Sequence, residues 1–159
     1  MGGIQRTKFN APWVLVQSAT AVELTGTTSN TVLKHIVVPA GVVDPDAGQI
    51  IVNAMWMGTT SVNNKTCRAA LGGLQGESFN ITNTGAGALT GAYACAYWQA
   101  LGGGMVATVP GNTSPFSVWA YATSNIDLTQ AQPITFSGQL AIASEMLTLR
   151  WCQVLVSNP

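Results

Sequence analysis

The chain has 159 residues, of which 47% are hydrophobic and only 8% charged, with six basic and six acidic side chains and a formal net charge of zero. That length predicts one domain, whose core is large enough to hold without a metal or disulfide. Without a basic run there is no electrostatic footprint for nucleic acid, and without an apolar stretch near ~18 residues there is no helical membrane span.

Residues 1–12 (MGGIQRTKFNAP) are polar, contain two glycines and end at Pro12. They read as an N-terminal arm, ordered against a neighbour, with residues 13–159 forming the domain. The apolar run after Lys8 is too short for a signal-peptide core. Arg6 stands where a myristoylation signal following Gly2 needs Ser or Thr. Residues 13–18 (WVLVQS) predict a first strand, and 23–30 (ELTGTTSN) are turn-rich. Residues 31–38 (TVLKHIVV) are a β-branched strand stopped by Pro39-Ala40-Gly41, and DPDAG at 44–48 is a surface turn. Residues 49–57 (QIIVNAMWM) are apolar on both faces except at Asn53. That predicts a central strand, or one buried between subunits.

A loop at 58–64 leads to a strand at 65–71 (KTCRAAL), which Gly72-Gly73 ends. Residues 78–82 (SFNIT) alternate as a strand, and 83–88 form a loop. Residues 90–101 (TGAYACAYWQAL) fit helical and strand spacing alike; the all-strand surroundings favour strand. Short strands follow at 105–109 and 116–122 (FSVWAYA). The closing stretch, 133–156 (PITFSGQLAIASEMLTLRWCQVLV), predicts two strands hinged at Ala143-Ser144-Glu145, with Gly138 interrupting the first. In the second, Leu147, Leu149, Trp151 and Leu155 share one face, and Thr148, Arg150 and Cys152 the other. Such a hairpin needs a second sheet to cover it. About eight to ten short strands parted by Gly, Pro, Asn and Thr turns predict an all-β fold. The expected architecture is an antiparallel β-sandwich, jelly-roll-like, with about eight strands.

Three runs carry a family resemblance: VLVQSATAVELTGTTSNTVLKHIVVPAG, then NNKTCRAALGG, then ITFSGQLAIASEMLTLR. A strand and a TG turn before a strand ending in PAG, an NxKT turn with a basic strand and GG, and a GQL strand before ExxTL together resemble a β-sandwich module of tailed-bacteriophage virion proteins. The resemblance spans residues 14–156. Cys67 and Ala69-Ala70 depart from its more basic pattern, Ser137 replaces an expected Thr, and 90–101 has no clear counterpart. It implies a trimeric jelly roll on a phage particle, as head decoration, head fibre or tail appendage.

The residues themselves offer little chemistry. His35, the one histidine, lies within a strand and reads as a packed or interface residue, since no nucleophile and acid accompany it. Asp44 and Asp46 flank a proline in a turn and read as solvated rather than as calcium ligands. Glu23, Glu77, Asp127 and Glu145 are scattered, so no glycosidase pair can be named; each reads as a turn or strand-end charge. Cys67, Cys95 and Cys152 have no CxxC or zinc spacing and read as buried free thiols. Asn64-Lys65-Thr66 and Asn80-Ile81-Thr82 match the glycosylation pattern but read as turn and strand residues. No catalytic residue, metal or cofactor is expected.

A surface this poor in charge lacks the usual protection of a free monomer. It is expected to be covered by copies of itself and by a larger assembly. The expectation is therefore a non-enzymatic virion protein, made in the host cytoplasm, that cements a capsid as a trimer. Its partners would be itself and the major capsid protein or other virion proteins, with no nucleic acid and no membrane. Candidate interface residues are Ile4 and Phe9 of the arm with Trp13 directly after it, Ile50, Val52 and Trp56 of the doubly apolar strand, and the adjacent Tyr97 and Trp98, one of which must point outward from a strand. An ordinary central strand of the monomer is the competing reading of 50–56. Two other functions stay open: a receptor-binding tail-fibre tip, with loops 58–64 and 83–90 distal, and a carbohydrate-binding module with an aromatic platform. A host-surface glycan would be the partner in both. The start at Met1 and the lack of a fibrous stalk favour decoration.

Overall fold

The computed structural model describes residues 11–81, 90–109 and 122–159. The arm residues Ile4 and Phe9, the loop at 83–88 and the strand expected at 116–122, apart from Ala122, lie outside the described residues. Within them the chain forms eleven strands: β1 (Trp13–Ser18), β2 (Val22–Thr25), β3 (Thr31–Val38), β4 (Gln49–Gly58), β5 (Lys65–Leu71), β6 (Leu74–Ile81), β7 (Thr90–Ala100), β8 (Met105–Val109), β9 (Ala122–Asn125), β10 (Gln132–Leu140) and β11 (Met146–Ser157).

All pairings are antiparallel, in two sheets. One has the order β1-β11-β4-β7-β8-β9, with β2 also on β11; the other is β3-β10-β5-β6. β1 pairs with residues 152–156 of β11 and β2 with residues 146–149, while β4 takes the opposite edge. β1 and β2 thus share one strand position, broken at residues 19–21. Counted so, the four positions β1/β2-β11-β4-β7 face the four positions β3-β10-β5-β6, and the chain changes sheet at most connections. The result is a jelly-roll β-sandwich, extended at one edge by β8 and β9. The ambiguous stretch at 90–101 is a strand as far as Ala100, because β7 pairs with β4 from Thr90 to Gln99.

Two expectations for the C-terminal stretch fail. β10 and β11 are not a hairpin: β10 lies between β3 and β5, whereas β11 lies between β1/β2 and β4 in the other sheet. Residues 141–145 carry the chain across the sandwich. Both strands are apolar because both are central, and pairing them with each other would cost each a neighbour. The single alternation predicted for β11 also breaks. Leu149 sits opposite Trp56 and Trp151 opposite Met55, so the register shifts at Arg150. One extra residue makes a β-bulge, and beyond it the two faces exchange. Leu147 and Leu149 point into the core, but so do Cys152, Val154 and Val156, while Trp151 and Leu155 are only half-buried.

Gly138 does not interrupt β10. A Cβ there would come 2.7 Å from Leu147 Cδ2 of the facing sheet, so the missing side chain lets the sheets approach. The core fills the space between them. Ile50, Val52, Ala54 and Trp56 of β4 meet Cys67, Leu71, Ile134, Phe136 and Leu140 of the opposite layer. Burial pushes the thiols of Cys67 and Cys152 up from the usual range, against the smaller opposing effects of Arg68 and Lys34 respectively.

Candidate functional site

Inward-facing residues of β4 alternate with Ile51, Asn53, Met55 and Met57, which point out of the sandwich. Ladder register extends each of these across the sheet as a row. Val14, Leu155, Ile51 and Tyr97 stand opposite one another across β1, β11, β4 and β7. The next row is polar: Gln17, Gln153 and Asn53. Its amides bond along the row, Asn53 Nδ2 donating to Gln153 Oε1 at 3.2 Å and Gln153 Nε2 to Gln17 Oε1 at 3.4 Å. Beyond it, Trp151 faces Met55, which is 45% exposed. The bulge at Arg150 is what brings Trp151 to this side.

These rows contain no Lys, Arg, Asp or Glu. Apolar side chains provide area that gains from burial. The intervening amides already bond one another, which lowers the cost of removing them from water. Such a face suits a second protein surface better than it suits solvent. The outer face of the other sheet differs. There Arg68 donates to Asn30 Oδ1 and Gln139 Oε1, both at 2.9 Å, and His35 stands exposed opposite Thr135. His35 is therefore not a packed histidine.

The candidate interface residues named from the sequence divide. Ile50, Val52, Trp56 and Trp98 are at most 2% exposed and fill the monomer's own core. They cannot reach a neighbour, because the second sheet already covers them; the central-strand reading of 50–56 is the correct one. Tyr97 and Trp98 do point to opposite sides, and it is Tyr97 that lies outside, half-buried. Trp13 is 44% exposed at the start of β1. Ile4 and Phe9 lie outside the described residues. Trp151, Leu155, Val14, Ile51 and Met55 were missed. Periodicity placed Trp151 and Leu155 in the core, and only recognition of the bulge would have reversed that.

The described acidic residues are spread through the turns and strands. Asp44 Oδ1 accepts the Asp46 backbone N–H at 2.9 Å, so this carboxylate closes its own turn. Among the described residues no group of three metal-ligand side chains converges. No described helix is long and apolar enough to cross a membrane. Glu145, expected as a turn charge, is instead buried against Lys65.

No family model and no curated protein matches the chain. Solved structures do match. One is dimeric latent PorU from Porphyromonas gingivalis, at 8% identity and TM-score 0.46, covering 99% of this chain but only 14% of that one. Another is a candidate sugar-binding protein from Bacteroides thetaiotaomicron VPI-5482, at 9% identity and TM-score 0.49, covering 97% of this chain and 85% of that one. A third is the CBM2 module of the evolved Dit of Lactobacillus casei BL23 phage J-1, at 9% identity and TM-score 0.39, covering 79% and 69%. The jelly-roll assignment stands on the strand pairing of this chain itself.

Proposed function

We propose that this chain is a structural protein of a tailed-phage particle, acting without catalysis as a homotrimeric decoration (cementing) or head-fibre module on the capsid surface. The observation that carries this reading is the set of uncharged rows on the outer face of the β1-β11-β4-β7 sheet. Its apolar rows alternate with laterally bonded amides, in a chain with few charges to keep it soluble. A closed three-fold ring covers such a face without leaving an open end for further growth. The module resemblance, carried by the PAG, NKT and GQL segments, supplies the phage context. Binding to the major capsid protein then stabilises the shell to the extent that it favours assembled lattice over released subunits.

Two measurements test this. Light scattering should give three times the chain mass of 16.5 kDa, and Ile51→Lys combined with Leu155→Lys should give a folded monomer. A wild-type protein that stays monomeric at high concentration would remove the physical basis of the reading. Electron microscopy of intact particles should then find many copies at lattice positions. A few copies at the tail alone would instead favour a receptor-binding tip.

A further inference from the structure

We propose that a cleft at the β2 end of this outer face binds a small polyhydroxylated carboxylic acid, such as one sugar-acid residue of a glycan. The site goes beyond the assembly role and does not depend on it. Ala21, Glu23, Met57, Met146, Thr148 and Arg150 line an opening of about 230 Å³. That is below the ~300–1,000 Å³ of pockets for drug-sized ligands and suits one small ring. Glu23 of β2 stands opposite Thr148 of β11, and Arg150 follows at the bulge, where β-bulges re-aim side chains.

Ionised side chains are scarce in this chain, yet a carboxylate and a guanidinium both line this cleft. The side chains of Glu23, Arg150 and Thr148 have no ion-pair or hydrogen-bond partner among the described residues. Each therefore has its full bonding capacity left for a ligand. Arg150 presents the planar fork that matches a carboxylate. Glu23 accepts from hydroxyls, and the Thr148 hydroxyl can donate or accept. The thioether side chains of Met57 and Met146 give a soft apolar wall for the C–H face of a ring. A bare inorganic anion would satisfy Arg150 but leave Glu23 facing like charge. A neutral sugar would leave Arg150 unmatched.

The test is titration of the full chain, followed by amide NMR at low ionic strength, with glucuronate, methyl glucoside, acetate and alanine as probes. Glucuronate should give saturable shifts at Glu23, Thr148 and Arg150. Methyl glucoside and acetate should each bind about tenfold more weakly or worse, since each lacks one half of the recognition. Arg150→Gln and Glu23→Gln are exposed substitutions that should keep the native spectrum; the first should abolish the preference for glucuronate over methyl glucoside. The proposal is overturned if glucuronate produces no saturable shift, if acetate or alanine binds as well, or if Arg150→Gln leaves glucuronate affinity unchanged. Loss of trimer formation with glucuronate binding retained would sink the assembly reading alone.

Discussion

Lys65 Nζ lies 2.9 Å from Glu145 Oε2, with both side chains buried at one end of the sandwich. Lys65 opens β5, and Glu145 ends the crossing from β10 to β11. The ammonium also donates to Ser61 Oγ at 2.8 Å and to the Asn63 carbonyl at 3.1 Å, and Asn63 Nδ2 donates to Glu145 Oε1 at 3.0 Å. The pair and its bonds tie the loop between β4 and β5 to the loop between β10 and β11. Gly58 makes room for it, since a Cβ there would sit 2.6 Å from Lys65 Cδ.

Removing one partner should cost far more than removing both. Lys65→Met leaves a buried carboxylate unpaired, and Glu145→Leu leaves a buried ammonium; each should lose about 3 kcal/mol or more. The double variant should recover much of that loss, because no charge is left behind. Urea unfolding of the four proteins measures the coupling. Additive single losses would show that the contact does not act as a pair.

Acid should weaken the same contact. Burial works to raise the Glu145 carboxyl, but hydrogen bonds from Ser61, Asn63 and Lys65 and the Lys65 charge outweigh it and hold the group below the usual carboxylate range. With a lowered folded-state pKa, the contribution is complete above the unfolded-state value and is lost as pH falls through the folded one. The stability difference between wild type and Glu145→Gln should stay constant near neutrality and shrink on the acid side. A difference that is flat throughout the acid range, in urea midpoints taken pH by pH, would contradict this.

The bulge can be tested by shortening it. Deleting Arg150 removes the extra residue, so Trp151 follows Leu149 directly and strict alternation leaves Trp151 outward and Cys152, Val154 and Val156 inward, as they already are. That deletion should keep the native fold, read by thermal unfolding and near-ultraviolet dichroism, whereas deleting Gln153 from the regularly paired part of the strand would turn Val154 and Val156 outward and should abolish it. Arg150→Ala keeps the extra residue and should change stability by less than about 0.5 kcal/mol. Equal effects of the two deletions would mean that residue count along β11 does not set the faces.

Gly138→Ala should lose about 1–3 kcal/mol, because the new methyl meets Leu147 Cδ2, with Leu24 and Leu33 close behind. Gly138→Ala combined with Leu147→Ala should lose less than the sum of the two single changes. Strict additivity would argue against sheet spacing as the reason for glycine here.

Much of the fold is legible in the residues. The β-branched run of β3, the alternation in β4 and the glycine stops at Gly72-Gly73 mark strands by local sterics and periodicity, which need no knowledge of partners. The site is less legible. Trp56, Trp98 and Trp151 look alike in sequence, yet two lie in the core and one faces outward. A strand's apolar period says that one side is buried but not which sheet covers it, nor where an extra residue exchanges the sides.

From its sequence alone, this chain is an all-β domain with too few charges for an ordinary solvated surface. Both follow from local backbone preference and from composition, which are properties of the unfolded chain as well. Only the tertiary structure decided that β10 and β11 part into opposite sheets, that Arg150 turns Trp151 outward, and that Lys65 finds Glu145. Those outcomes depend on strand partners distant in sequence, and pairing energy is shared among neighbours that no single segment contains.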